Sequence, residues 1–180
     1  TKAVLKNLQD RKLKATFFML AKQVEGLPNH AQAVVDAEMD IASHSYDHKQ
    51  LGKSSTDAVL NKQIGDAKKI IEKSSGKTVK LFRLPYGAGT SAANVRSKIA
   101  AHNLIHVFWN VDTLDWQDKN PDSILARTKK QMAASPKNSG IVLFHDIHKQ
   151  SVIASAMLMD DMIKNEIKVC TVQGIVDQIN

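Results

Sequence analysis

Apolar runs of strand length alternate with amphipathic helical stretches along the whole 180-residue chain. That alternation limits the fold more than any other feature. Residues 1–12 place Val4, Leu5 and Leu8 on one helical face with charges opposite. Short apolar runs follow at 15–20, 41–43, 79–84, 105–111, 141–144 and 169–172. Helical patterns separate them at 31–39 (with Pro28 at its first turn), from a Ser55 or Thr56 cap to about residue 73, and at 91–101, 121–132 and 151–165, with a closing helix at 174–179. Strand and helix in strict alternation predict an α/β protein with a parallel sheet, open or closed into a barrel. No composition break or repeat marks a linker, so residues 1–180 are expected to form one domain.

The position of the polar residues narrows this further. His44, Arg83, the pair Asp112 and Asp115, and His145 each stand at or just beyond the end of a different apolar run. In a (β/α) barrel the C-terminal strand ends converge on one mouth, where catalytic groups collect. A barrel-like site explains this placement better than scattered surface groups.

Each segment has its own chemistry. His44-Ser-Tyr-Asp-His48 sets two imidazoles four residues apart, one helical turn, a spacing that suits a shared metal ion as well as surface or capping roles. Arg83-Leu-Pro-Tyr-Gly87 is a shaped loop: Pro85 fixes a bend, Gly87 permits an unusual backbone angle, and an arginine at a strand end can hold a carboxylate by two parallel bonds. In Asp112-Thr-Leu-Asp115-Trp116, Asp115 can orient and charge-tune a histidine, and Trp116 offers an apolar wall or a sugar platform. Leu143-Phe-His145-Asp146 ends its strand on a histidine suited to general acid catalysis near neutral pH. His148 is a further candidate ligand, whereas His30, His102 and His106 lack partners in sequence and read as structural.

Charge and composition exclude some partners. Net charge is +7, spread as lysine pairs such as Lys68-Lys69 and Lys129-Lys130 along helices, a pattern of solvated faces that also favours acidic polymers. Only 5% of residues are aromatic, too few for a nucleic-acid stacking platform, and no apolar run reaches the ~18 residues of a membrane span. Cys170 is the single cysteine and reads as a small hydrophobe in a buried strand.

Taken in order, these segments resemble the NodB-type polysaccharide deacetylases, carbohydrate esterase family four. The family's motifs His-Ser/Thr-x-x-His, Arg-x-Pro-Tyr, Asp-x-x-Asp-Trp and Leu-x-His stand here as His44–His48, Arg83–Tyr86, Asp112–Trp116 and Leu143–His145, and Ala15-Thr-Phe-Phe18 matches the strand after the first helix. The resemblance implies a distorted (β/α) barrel of about seven strands and a divalent metal, zinc first, with cobalt or manganese as alternatives. It makes His44 and His48 metal ligands and His145 the acid that protonates the leaving amine. Arg83 would hold a catalytic aspartate, Asp115 would tune His145, and the Tyr86 backbone N–H would bind the oxyanion. Pro85, Tyr86, Trp116 and Leu143 would line the substrate side.

The family's Thr-Phe-Asp-Asp motif, carrying the general base and a third ligand, is absent from these residues. The first strand, the base and that ligand are therefore expected to lie upstream of Thr1. The implied reaction is hydrolysis of N-acetyl groups on a GlcNAc-type polymer by a metal-bound water, with peptidoglycan ahead of chitin-like chains and an extracytoplasmic location. An O-acetyl xylan esterase and a non-catalytic glycan-binding domain are the alternative readings.

Overall fold

A computed structural model describes residues 1–136 and 139–179. Contacts divide the chain into two compact units, one of residues 1–15 and 109–175, the other of residues 16–108 and 176–180. Among the described residues no helix is long and apolar enough to cross a membrane.

The second of these units is built on a four-stranded parallel sheet, ordered β1 (Thr16–Met19), β2 (Asp40–Ser43), β3 (Leu81–Phe82), β4 (Ile105–His106). Thr16 pairs with Asp40, Ser43 with Phe82, and Leu81 with Ile105. Parallel neighbours need a helical crossover, and the sequence supplies one each time. Helices α2 (Ala21–Gly26) and α3 (Pro28–Asp36) link β1 to β2. Then α4 (Asp57–Leu60), a π-helical turn (Asn61–Asp66) and α5 (Ala67–Ser75) form one long rod leading to β3, and α6 (Ala93–Ala101) leads to β4. Thr56 caps the rod by accepting from the Val59 N–H, and Gly76 ends it in the left-handed conformation at φ 65°. Val24, Val34, Ile64, Ile71, Val79 and Phe82 are fully buried, each such side chain contributing about 1.5–3 kcal/mol of transfer free energy.

The other unit holds a two-stranded parallel sheet, β5 (Val111–Asp112) with β6 (Val142–Leu143), and the helices α1 (Lys2–Asp10), α7 (Pro121–Ala134) and α8 (Lys149–Lys164). Val111, Met132 and Leu158 form its core, with Leu125, Val142, Phe144, Met162 and Ile167 packed against them. The apolar face of α1 buries Leu5 and Leu8, and Arg11 clamps Asp160 on α8 with two N–H···O bonds of 2.7 and 2.9 Å. Helix α9 (Val172–Ile179) closes the described chain.

Three expectations need correction. The apolar run 105–111 is two strands: Ile105 N–H donates to Lys80 O and Val107 N–H to Phe82 O, whereas Val111 N–H donates to Ile141 O. At the changeover the Asn110 carboxamide accepts from the Ile141 N–H at 2.8 Å, beside a backbone bond from the Asn110 N–H to Ile141 O. Residues 169–172 form no strand, and Cys170 is exposed; the Thr171 hydroxyl accepts from Gly174 N–H at 3.1 Å and starts α9 there, so capping overrides the β-branched pattern. The helical stretch expected at 31–39 is α3 at 28–36, preceded by the separate helix α2.

Candidate active site

Five of the candidate residues lie together in the unit carrying the four-stranded sheet. The segment His44–His48 leaves the C-terminal end of β2, anchored where His44 N–H donates to Met19 O and where Ser45 and Tyr46 carbonyls accept from Ala21 and Lys22 N–H. It is not a helical turn. Ser45 and His48 are held at φ 75° and 69°, left-handed conformations that non-glycine residues adopt at a cost of about 1 kcal/mol or more and that cluster at functional sites. The buried Ser45 hydroxyl accepts from the His48 N–H at 3.0 Å and locks the turn. The His44 and His48 rings then meet edge-on with centroids 4.8 Å apart, and Tyr86 meets His48 at 4.6 Å.

His44 Nδ1 lies 2.8 Å from the carbonyl oxygen of Arg83. That contact fixes the ring and makes Nε2 the nitrogen for a metal, the usual arrangement of a ligating imidazole. The donor chemistry suits zinc or a related divalent ion. Among the described residues no group of three His, Cys, Asp or Glu is placed to hold a metal, so the two imidazoles fit two of the three protein positions typical of catalytic zinc.

Arg83 donates its backbone N–H to Ser43 O, and its guanidinium lies 4.6 Å from the Phe18 ring centroid. Burial pulls its pKa down to about 10. Pro85 is buried, and Tyr86 turns at φ 59° inside the 3₁₀ turn Pro85–Gly87, which leaves its ring 67% exposed.

The remaining candidates lie together in the other unit. Asp115 is fully buried, and its two oxygens take different groups of one residue: Oδ1 is 2.7 Å from His145 Nδ1, and Oδ2 accepts from the His145 backbone N–H at 2.7 Å. Burial pushes the Asp115 carboxyl up, but the side-chain and backbone hydrogen bonds from His145 outweigh it and hold the pKa below the ordinary carboxylate value. A carboxylate on Nδ1 fixes the tautomer and presents Nε2 for proton transfer. Leu143 is buried in β6, and its carbonyl accepts from the Thr113 hydroxyl at 2.7 Å, tying the 112–116 segment to the strand that carries His145. Trp116 is 52% exposed.

Several supporting residues carried no signal in the sequence. The Gln63 side chain bonds the His44–His48 segment, Gln150 donates to Asp115 O at 2.8 Å, and Arg127 donates to Thr113 O at 2.7 Å. All three are polar residues within or beside helices, indistinguishable by pattern from solvated positions. Asp112, which shares a motif with Asp115, has a structural part: it accepts from the Trp109 indole N–H and from Leu114 N–H.

A sequence model described as polysaccharide deacetylase matches residues 1–105. The peptidoglycan-N-acetylglucosamine deacetylase PgdA of Listeria monocytogenes is 37% identical over 150 residues, 83% of this chain and 30% of PgdA. The chain thus spans about a third of the length of the first curated relatives it matches. Among solved structures, the peptidoglycan deacetylase PdaC of Bacillus subtilis superposes with a TM-score of 0.84 at 27% identity, covering 98% of this chain and 82% of that one. A family-four pseudoenzyme from Bacillus anthracis, in a mutant form with restored activity, reaches 0.85 at 25% identity, covering 96% of this chain and 61% of that one. These neighbours share the (β/α)-barrel-like α/β fold class that the alternation of elements predicts. The chain belongs to the polysaccharide deacetylase family, carbohydrate esterase family four.

Proposed function

We propose that this chain is the catalytic part of an extracytoplasmic enzyme that hydrolyses the N-acetyl groups of a GlcNAc-type polysaccharide, peptidoglycan before chitin. The pairing of a buried Asp115 with both the ring and the backbone of His145 carries this reading. That arrangement is built to hold an imidazole in one tautomer for proton transfer. Similarity to peptidoglycan deacetylases supports the polymer, as does the positive net charge of +7.

In this mechanism water adds to the acetyl carbon and gives a proton to the carboxylate that Arg83 would hold; His145 Nε2–H then protonates the amide nitrogen as its bond to the acetyl carbon breaks, releasing acetate and a free amine. Asp115 stabilises the protonated ring before transfer and keeps it aligned. The Tyr86 backbone N–H is assigned to the developing oxyanion, and the buried Arg83 to a partner carboxylate. His44 and His48 would hold the divalent metal, zinc first. Bound there, zinc would supply Lewis acidity to the acyl oxygen and to water. Trp116, Leu143 and Pro85 would line the sugar and acetyl side.

Glycan binding without hydrolysis is the alternative reading. Acetate release separates the two. The natural protein is incubated with peptidoglycan fragments, chitin oligomers and O-acetylated xylan, with added zinc or with chelator. Zinc-dependent acetate from the N-acetylated glycans supports hydrolysis; saturable binding with no acetate from any of them overturns it.

A further inference from the structure

The long rod that crosses from β2 to β3 changes its hydrogen-bond register at residues Asn61–Asp66, a π-helical turn between α4 and α5. Such turns widen a helix by one residue and re-aim a side chain, and they recur at functional sites. Gln63 lies in this turn and is only 3% exposed. Its amide oxygen accepts from the backbone N–H groups of Tyr46 at 3.2 Å and Asp47 at 3.4 Å, and its amide nitrogen donates to Asp47 Oδ1 at 2.8 Å. Two donors on one oxygen and an acceptor on the nitrogen fix the amide's orientation.

We propose that Gln63 is a positioning residue for the His44–His48 segment, holding the two imidazoles at the separation a divalent metal needs. Both of its N–H partners lie between the histidines. This segment has no helix of its own to support it, and it includes two left-handed residues, Ser45 and His48. Ser45 closes the turn from within; Gln63 holds it from outside. Without Gln63, two N–H groups lose their protein acceptor, and the chain between the ligands can relax from its strained angles. Gly65 lies within the π-turn, and a Cβ there would come within 2.5 Å of the His102 ring.

The metal part of this inference rests on His44 and His48 being ligands; the positioning part does not. Amide exchange at Tyr46 and Asp47 is therefore measured alongside titration with zinc alone. Gln63→Leu is expected to speed exchange at both amides at least tenfold and to weaken zinc binding about 10- to 100-fold, the usual effect of losing a group that orients a ligand. Gln63→Glu combined with Asp47→Asn exchanges donor and acceptor while keeping all three bonds, and is expected to restore both readouts. A loss caused merely by a weaker fold would not be rescued in that way.

Unchanged exchange and unchanged zinc affinity in Gln63→Leu overturn the proposal, and so does failure of the double variant to rescue. If His44→Ala binds zinc as the unaltered protein does, the ligand assignment fails, and the exchange data still decide whether Gln63 positions the segment. Should Gln63→Leu fold poorly, Gln63→Met, closer in length and flexibility, is put through the same comparison.

Discussion

Asp115 holds His145 at two points, the ring through Oδ1 and the backbone through Oδ2, each at 2.7 Å. One carboxylate thereby fixes both where the imidazole starts from the chain and which way its plane faces. The next turn of chain adds to this, because Gln150 at the start of α8 donates to the Asp115 carbonyl. Asp115→Asn is isosteric but replaces one acceptor oxygen by a donor: its oxygen still accepts from the His145 backbone N–H, and its NH2 then faces Nδ1, which gives up its proton and accepts, turning the ring to the other tautomer. The variant is expected to keep its fold, to lose a charge-assisted bond worth about 1.5–3 kcal/mol and, with the ring in the other tautomer, to lower acetate release by ~10²–10⁴ if His145 is the acid. Full turnover with an unchanged melting temperature would remove Asp115 from the mechanism.

Removing the histidines in turn separates the roles. His145→Ala is expected to reduce turnover of the natural protein by ~10²–10⁴, the range for losing a general acid, while leaving zinc affinity unchanged. His44→Ala and His48→Ala are expected to abolish zinc binding and keep the fold, since both rings sit beyond the end of β2 outside its ladder. Parallel titrations with zinc and acetate assays check this. Loss of zinc in His145→Ala would show that it is a ligand.

Asp118 anchors the loop that follows the Asp115 segment. The Arg127 guanidinium, the Asn120 backbone N–H and the Ser123 hydroxyl hold its carboxyl down at about 2, from an ordinary 3.8. A depressed carboxylate pKa stabilises the fold fully above the ordinary value, and that contribution is lost as pH falls from 3.8 toward 2. Arg127→Met removes the largest cause and also the donor to Thr113 O. Asp118 is then expected to titrate nearer 3.8, and the variant to lose less of its remaining stability across that window. Carboxyl NMR titration, with melting followed as a function of pH, reads both; an Asp118 that still titrates near 2 in the variant would show that Arg127 is not the cause.

Much of this was legible in the sequence because strand ends and chemistry coincide. His44, Arg83, Asp115 and His145 were placed correctly relative to β2, β3, β5 and β6, since a short apolar run followed by an unusual polar residue is a local signal. The division of 105–111 was not legible. Both halves are apolar, and the change of partner from β3 to β6 depends on contacts far along the chain. The run at 169–172 failed for the opposite reason: a local cap at Thr171 outweighed a β-branched pattern. Gln63 was invisible because an α-helical wheel does not anticipate a π-turn. The one sequence trace of that turn is Gly65, a glycine in the middle of an otherwise strong helical pattern.

At Gly65 the usual sign of a Gly→Ala substitution reverses. In an ordinary exposed helix position Gly→Ala stabilises by about 0.5–1 kcal/mol. Here the new Cβ would sit 2.5 Å from His102 Cε1 and 2.6 Å from Nε2, closer than carbon contacts allow. The contacted atoms are the far end of the half-buried His102 ring, which must turn aside and give up its packing over Gly65; with the ring kept in place, overpacking of this kind costs about 1–3 kcal/mol and exceeds the propensity gain. Gly65→Ala is therefore expected to destabilise the protein by roughly 1 kcal/mol or more. With His102→Ala already in place the clash is gone, and the same substitution is expected to stabilise instead. Denaturant unfolding of the two single variants and the double variant gives the coupling directly. His102 also has a pH signature: burial first, then Lys98, Lys68 and Lys69, lower its pKa below the ordinary 6.5. The unfolded chain then takes up a proton before the folded one does, so stability falls as pH drops below 6.5; half-buried His106 contributes in the same direction, and His102→Ala is expected to lessen that fall and leave the His106 part. If Gly65→Ala keeps the same sign in both backgrounds, His102 does not fill the space over the π-turn.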